Sequence, residues 1–375
     1  MGQLRTLESQ GDGMKSLVGL LSPLVAATYP IIIVDEPEAF LHPPQAFALG
    51  KALGEIAHES KVQIILATHD KDLLSGLLAT QSALAVVRLN RIGDTTTATH
   101  LSANRLREVW SDPVLRYSNV LDGLFYRLVV LAEAEQDCRF YSAALDIAVE
   151  ERVTDETASA PLGIASSDVL FVPSNGKAGM AKLAEVLSTV AVPIVATPDL
   201  DILNDYAVLA RLVSALGGDW ESFEREYRSA TVNFRAPRGG AKLHHVRDAV
   251  LHIIDEELKI SPDKEYDATI KEKIGTELRA GRSPWEALKE SGVSAFKGEA
   301  RQAALRLLDG LEKIGIVAVR VGELECFGNT VDLTIALGVG KGREWLPAAL
   351  EAGLHKHPEP QKHIQRVLAA AHVGI

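Results

Sequence analysis

Cysteine is nearly absent from this chain, and so is any apolar run long enough to concern a membrane. Cys138 and Cys326 stand far apart and match no zinc-ligand spacing, which argues against a disulfide framework and a thiolate metal site. Reduced thiols in a cytoplasmic protein are the expectation. No apolar stretch approaches the roughly 20 residues that cross a bilayer, and no secretory hydrophobic region opens the chain. Met1-Gly2 with Thr6 fits the loose myristoylation pattern, a match attributed to chance. There is no low-complexity tract and no internal repeat. A net charge of −11 over 375 residues disfavours indiscriminate nucleic-acid binding, although a local basic patch or metal-bound acids would override it. Also missing is any G-x-x-x-x-G-K-[ST] loop, so no loop cradles nucleotide phosphates. What is present is ordinary globular material, 47% hydrophobic and 24% charged, with room for two or three domains.

The most informative stretch is Ile31–Gln45, IIIVDEPEAFLHPPQ. Its apolar, mostly β-branched start ends in Asp35-Glu36, a buried strand delivering two carboxylates where α/β sheets place their chemistry. In nucleotide hydrolases such an Asp orients Mg²⁺ and the adjacent Glu polarises the attacking water. A strand that merely ends in an acid is the plainer reading, and the surroundings lower its weight. Ser9-Gln10-Gly11-Asp12-Gly13 lies upstream and resembles the signature loop of ABC-type ATPases, while Ala67-Thr68-His69-Asp70, after the apolar run Val62–Leu66, resembles their switch histidine. The resemblance implies an ATP site touched by Ser9, Gly11, Gly13, Asp35, Glu36 and His69. Because such heads carry their phosphate loop first, the chain is expected to begin partway through its ATPase domain. It would then use ATP only with the missing N-terminal half or a partner subunit, as a homodimer through the head, and would not hydrolyse ATP alone.

Residues 1–105 therefore read as the C-terminal half of an ABC-type head, with strands at Ile31–Val34, Val62–Leu66 and Ala83–Leu89 and a strand Thr95–Leu101 pairing back antiparallel after Ile92-Gly93-Asp94. A second α/β unit opens with the strand Arg127–Leu131, and strands Val169–Val172 and Val192–Thr197 alternate with helices Gln136–Val149 and Ala178–Leu187, a pattern that predicts a parallel sheet. From Tyr206 the pattern is helical for about a hundred residues, with Ser283-Pro284 as a helix start. Ile314–Val321 reads as a returning strand, and Leu346–Ala352 and Lys362–Ala371 as closing helices. The fold class is α/β, divided into a partial head (1–105), the first part of a second domain (106–205), a helical insertion (206–305) and that domain's C-terminal part (306–375).

The second domain carries its own acids. Glu133 ends one strand, Asp137 follows one helical turn later, and Asp199-Leu200-Asp201 ends another strand. Parallel neighbours would gather these groups at one sheet edge. Several carboxylates cannot share a pocket fully charged without cations, and hard oxygen ligands in that number suit Mg²⁺ or Mn²⁺ rather than zinc. Each acid could instead cap a helix or solvate a loop, the reading preferred for Glu135. The strand–Glu–x–x–x–Asp–helix start and the later Asp-x-Asp resemble the Toprim domain, with Ala134 where that family usually has glycine. A head followed by such a Rossmann-like, parallel-sheet domain resembles the overcoming-lysogenisation-defect (OLD) family of ATP-linked nucleases. Further matches are the Gly-Lys turn Pro173–Lys177, Gly322-Glu323-Leu324-Glu325, and Lys341 in Gly340-Lys341-Gly342.

The resemblance implies a DNA endonuclease or nickase working with two metals about 4 Å apart. Glu133, Asp199 and Asp201 are expected as direct ligands. Asp137, Glu323 and Thr197 are second-tier ligands or outer groups, and Lys341 or Lys177 would offset transition-state charge. DNA would be held by the acid-free segment Tyr227–Arg247, chiefly Arg235, Arg238 and Lys242, together with Lys177, through phosphates rather than base edges. A solvated basic loop is the competing reading of that segment. Two alternatives to the nuclease stay open at this point. One is a topoisomerase-like enzyme, for which none of the seven tyrosines sits in a recognisable context. The other is a non-catalytic DNA-repair scaffold.

Overall fold

The structure, a computed structural model, describes residues 11–26, 29–60, 62–92, 94–101, 103–111, 121–154, 164–189, 192–235, 243–279, 285–330 and 344–371. Packing divides the chain into two compact units. One comprises residues 1–131, 159–172 and 182–194, and the other residues 132–158, 173–181 and 195–375.

In the first unit, β1 (Ile31–Asp35) and β2 (Gln63–Ala67) pair in parallel, with Asp35 opposite Ala67. Helices α1 (Asp12–Val25), α2 (Pro43–Ser60) and α3 (Lys71–Leu78) supply a core of Leu24, Leu49, Leu53, Leu73 and Leu77. Helices α2 and α3 approach backbone to backbone at glycine. A Cβ on Gly50 would lie 2.1 Å from Leu73 O, and one on Gly76 would lie 2.1 Å from Phe47 O. β3 (Val86–Ile92) and β4 (Thr95–Leu101) form the expected antiparallel hairpin, β3 starting three residues later than the sequence suggests. Helix α4 (Ala103–Ser111) follows.

β5 (Leu128–Ala132), β6 (Val169–Pro173) and β7 (Ile194–Thr197) form a sheet in the order β6-β5-β7. The N–H of Arg127 donates to Asp168 O and, further along both chains, that of Ser174 donates to Ala132 O, so β5 and β6 run parallel. Helices α5 (Glu135–Thr154) and α6 (Lys177–Thr189) make the crossovers. The strand order reverses between β5 and β7, the place where open α/β sheets leave a crevice at their carboxyl ends.

In the second unit the segment expected as a returning strand runs beside β7 but makes only two isolated parallel bridges, Ala196 to Ile316 and Asp199 to Val319. Pro198 explains the interruption. Ala196 donates to Gly315 O and Val317 to Ala196 O, but Pro198 has no N–H to continue the ladder and only accepts, from Val319. The run expected to be helical after Tyr206 comprises α7 (Tyr206–Ala215), α8 (Trp220–Arg235), α9 (Leu243–Ile260), α10 (Ala268–Arg279), α11 (Glu286–Ser291) and α12 (Gly298–Glu312). The Ser283-Pro284 helix start lies outside the described residues. Closing helices α13 (Trp345–Glu351) and α14 (Pro358–Ala371) match expectation. Among the described residues no helix is long and apolar enough to cross a membrane.

Candidate functional site

Glu133 follows β5 and Asp199 follows β7, so the strand order sets them on either side of the reversal. The main-chain N–H of Asp199 donates to Glu133 Oε1 at 3.1 Å. After Asp199 the chain turns into a short 3-10 segment, Leu200–Asn204, that carries Asp201 back to the same place. One carboxylate oxygen from each of Glu133, Asp199 and Asp201 lies within 4.8 Å of the others.

Crowding of like charge in a buried place has the expected electrostatic result. Burial, then the charges of Glu133, Asp137, Asp201 and Glu323, push Asp199 up to about 9. Burial also raises Glu133, against the pull of Lys177 and the hydrogen bond from Asp199. Asp201 Oδ1 is buried and has no hydrogen-bond partner, while its Oδ2 holds Lys177 Nζ at 2.5 Å. A compact set of hard oxygens, with one carboxyl kept protonated by burial and like charge and one oxygen unpaired, fits a Mg²⁺- or Mn²⁺-type cation.

The turn that presents Lys177 is built from residues that tolerate positive φ, Asn175 (54°) and Gly176 (99°). It is fastened to the end of β5 by Ser174 Oγ donating to Ala132 O at 2.7 Å and Gly176 N–H donating to Glu133 O at 3.0 Å.

Asp137 accepts from Ala134 N–H at 2.8 Å, capping α5 one turn back along the chain. This bond secures the turn at Ala134 without a glycine. Burial pushes Asp137 up to about 6. Thr197 Oγ1 lies 2.8 Å from the buried His363 Nε2. Glu323 is buried, and its charge is among those raising Asp199. Lys341 lies outside the described residues.

In the head, Gly11 precedes α1 and accepts from the N–H groups of Met14 and Lys15. Gly13 packs against Phe40, whose carbonyl would lie 2.8 Å from a Cβ there. Asp35 closes β1. Glu36 stands at φ 46°, a left-handed conformation uncommon for a non-glycine residue. His69 Nδ1 lies 3.4 Å from Glu36 Oε1 and 3.8 Å from Glu38 Oε1. Asp35, Glu36 and His69 thus gather at adjoining strand ends. The sequence reading missed Glu38, which is buried and accepts from Thr68 Oγ1 at 2.6 Å. An acid two residues beyond the strand-end pair was its only signal. Ser9 lies outside the described residues.

Of the basic segment, Arg228 pairs with Glu224 at 2.7 Å and Arg247 with Asp248 at 2.6 Å. Arg235 is exposed, its guanidinium 4.6 Å from the centre of the Tyr227 ring. Arg238 and Lys242 lie outside the described residues.

The family described as "AAA domain, putative AbiEii toxin, Type IV TA system" matches residues 1–75. Residues 1–75 are thus similar to an ATPase-type head. No curated protein matches the chain. The match covers the signature-like loop, Asp35, Glu36 and His69, and it makes ATP with Mg²⁺ the expected ligand of that head.

Proposed function

We propose that the chain is a divalent-cation-dependent DNA endonuclease of the OLD kind, in which a Toprim-like carboxylate centre is coupled to the ATPase-type head. The observation that carries this reading is the convergence of Glu133, Asp199 and Asp201 at the reversal of strand order, with an unpartnered buried oxygen on Asp201. These three residues would hold the cation, which when bound supplies a water made acidic enough to attack a phosphodiester and positive charge for the leaving oxygen. The Asp199 N–H orients Glu133, and the turn at Asn175-Gly176 sets Lys177 at the edge of the cluster, where an ammonium would meet a phosphate oxygen.

Plasmid nicking tests the reading. Activity should require Mg²⁺ or Mn²⁺ and fall to background in Glu133→Ala and Asp199→Ala. Glu135→Ala, which loses only an exposed pair with Arg139 at 3.0 Å, should retain it. Wild-type nicking by both ligand variants would show that the centre is misassigned.

A further inference from the structure

Lys289 is a second cation on the carboxylate centre, supplied by the helical insertion and not evident from any motif. Its Nζ lies 3.3 Å from Asp201 Oδ2, the oxygen already held by Lys177. The two ammonium groups converge on one oxygen while Oδ1 of the same carboxylate is left buried without a partner.

The helix bearing Lys289 is clamped in place. Gly322 stands at φ 121°, and a Cβ there would lie 2.1 Å from Lys289 O and 2.7 Å from Leu288 O. Gly292, at φ 55°, would put a Cβ 2.3 Å from Arg320 O. Val293 N–H donates to Arg320 O at 2.9 Å, and the Cys326 thiol donates to Lys289 O at 3.0 Å. Residues 320–326, which carry Glu323, therefore fix the main chain of Lys289. Above this fixed main chain its side chain remains 41% exposed. Burial lowers its pKa, but the charge of Asp201 and the hydrogen bond to it outweigh burial and hold it charged.

We propose that Lys289 is a phosphate-binding residue of this centre, its ammonium held on Asp201 until a divalent cation takes that carboxylate and releases it toward the phosphodiester. The inference rests on the reading of the centre as a cation-dependent phosphodiesterase. A divalent cation and an ammonium repel each other on one carboxylate, so cation loading drives Lys289 off. A phosphate entering beside the cation brings the negative charge that receives it.

Mn²⁺ affinity of the full chain, read from the electron-paramagnetic-resonance signal of free Mn²⁺, and duplex-DNA affinity in Ca²⁺ test this together. Lys289→Gln should bind Mn²⁺ about fivefold more tightly, because a competing charge is gone. It should bind DNA in Ca²⁺ about fivefold more weakly, having lost a charged phosphate contact. Lys289→Arg, which keeps the charge, should stay near wild type in both. Mn²⁺ affinity that is unchanged or lowered in Lys289→Gln, or DNA affinity that is unchanged, overturns the proposal and leaves the centre standing. Wild-type Mn²⁺ affinity in Asp199→Asn would remove the centre itself, and this inference with it.

Discussion

His363 Nε2 and Thr197 Oγ1 lie 2.8 Å apart in the core of the second unit, joining the closing helix α14 to the end of β7. The ring is fully buried against Tyr141 and Phe327, and its Nδ1 has no hydrogen-bond partner. Burial, with the charges of Arg366 and Arg320 added, pushes its pKa down to about 3, so the histidine is neutral. His363→Ala should destabilise the protein by about 2–4 kcal/mol, combining a cavity with an unpaired threonine hydroxyl. Urea denaturation measures this, and a loss below about 0.5 kcal/mol, the range of surface substitutions, would contradict it.

Asp199 gives the cation-free protein a definite pH dependence. Its carboxyl, at about 9 when folded, keeps a proton that the unfolded chain releases near 3.8. Its contribution to stability is complete below 3.8 and is lost as pH rises through 9. His363 acts in the opposite sense, its contribution being lost as pH falls from 6.5 through about 3. Above pH 6.5 the histidine is neutral in both states, so in EDTA the melting temperature should decline steadily from pH 6.5 toward 9. Asp199→Asn should flatten that decline, and saturating Mn²⁺, which replaces the proton, should abolish it. A decline of wild-type slope in Asp199→Asn would assign it to other groups.

Thr68→Val should cost about 1–3 kcal/mol, because Glu38 Oε2 already lacks a partner and the substitution would strip Oε1 of its donor. Thermal unfolding followed through the head would register the loss. In the same head, phosphate release from ATP by this chain should stay at background and be unaffected by Glu36→Gln, since no glycine-rich phosphate loop occurs in the sequence. Turnover abolished by Glu36→Gln would contradict that.

Replacing Arg235, Arg238 and Lys242 together with alanine should weaken binding to unrelated duplexes by similar factors. Each lost phosphate contact reduces the log–log salt slope by about 0.9, so the triple change should lower it by somewhat under three units. Single-turnover cleavage at saturating DNA should change less than affinity does. Unaltered slope and affinity would leave the segment as a solvated basic loop.

The strand-end acids were legible because the signal is local. An apolar β-branched run ending in Asp35-Glu36 or Glu133, or closing with Asp199-Leu200-Asp201, marks both a strand and its carboxyl end within a few residues. The helical run after Tyr206 and the β3–β4 hairpin were legible for the same reason, through periodicity and turn chemistry. The strand over Ile314–Val321 failed because its pairing depends on a distant proline, Pro198. Tertiary structure alone decided which groups meet. It put Lys289 on Asp201, set Glu38 under Thr68, turned Asp137 to its own helix end, and carried His363 to Thr197. Periodicity fixes where an element lies and which face it buries. Contact between side chains far apart in the chain depends on how elements pack, and here on glycines such as Gly322 that let two backbones touch.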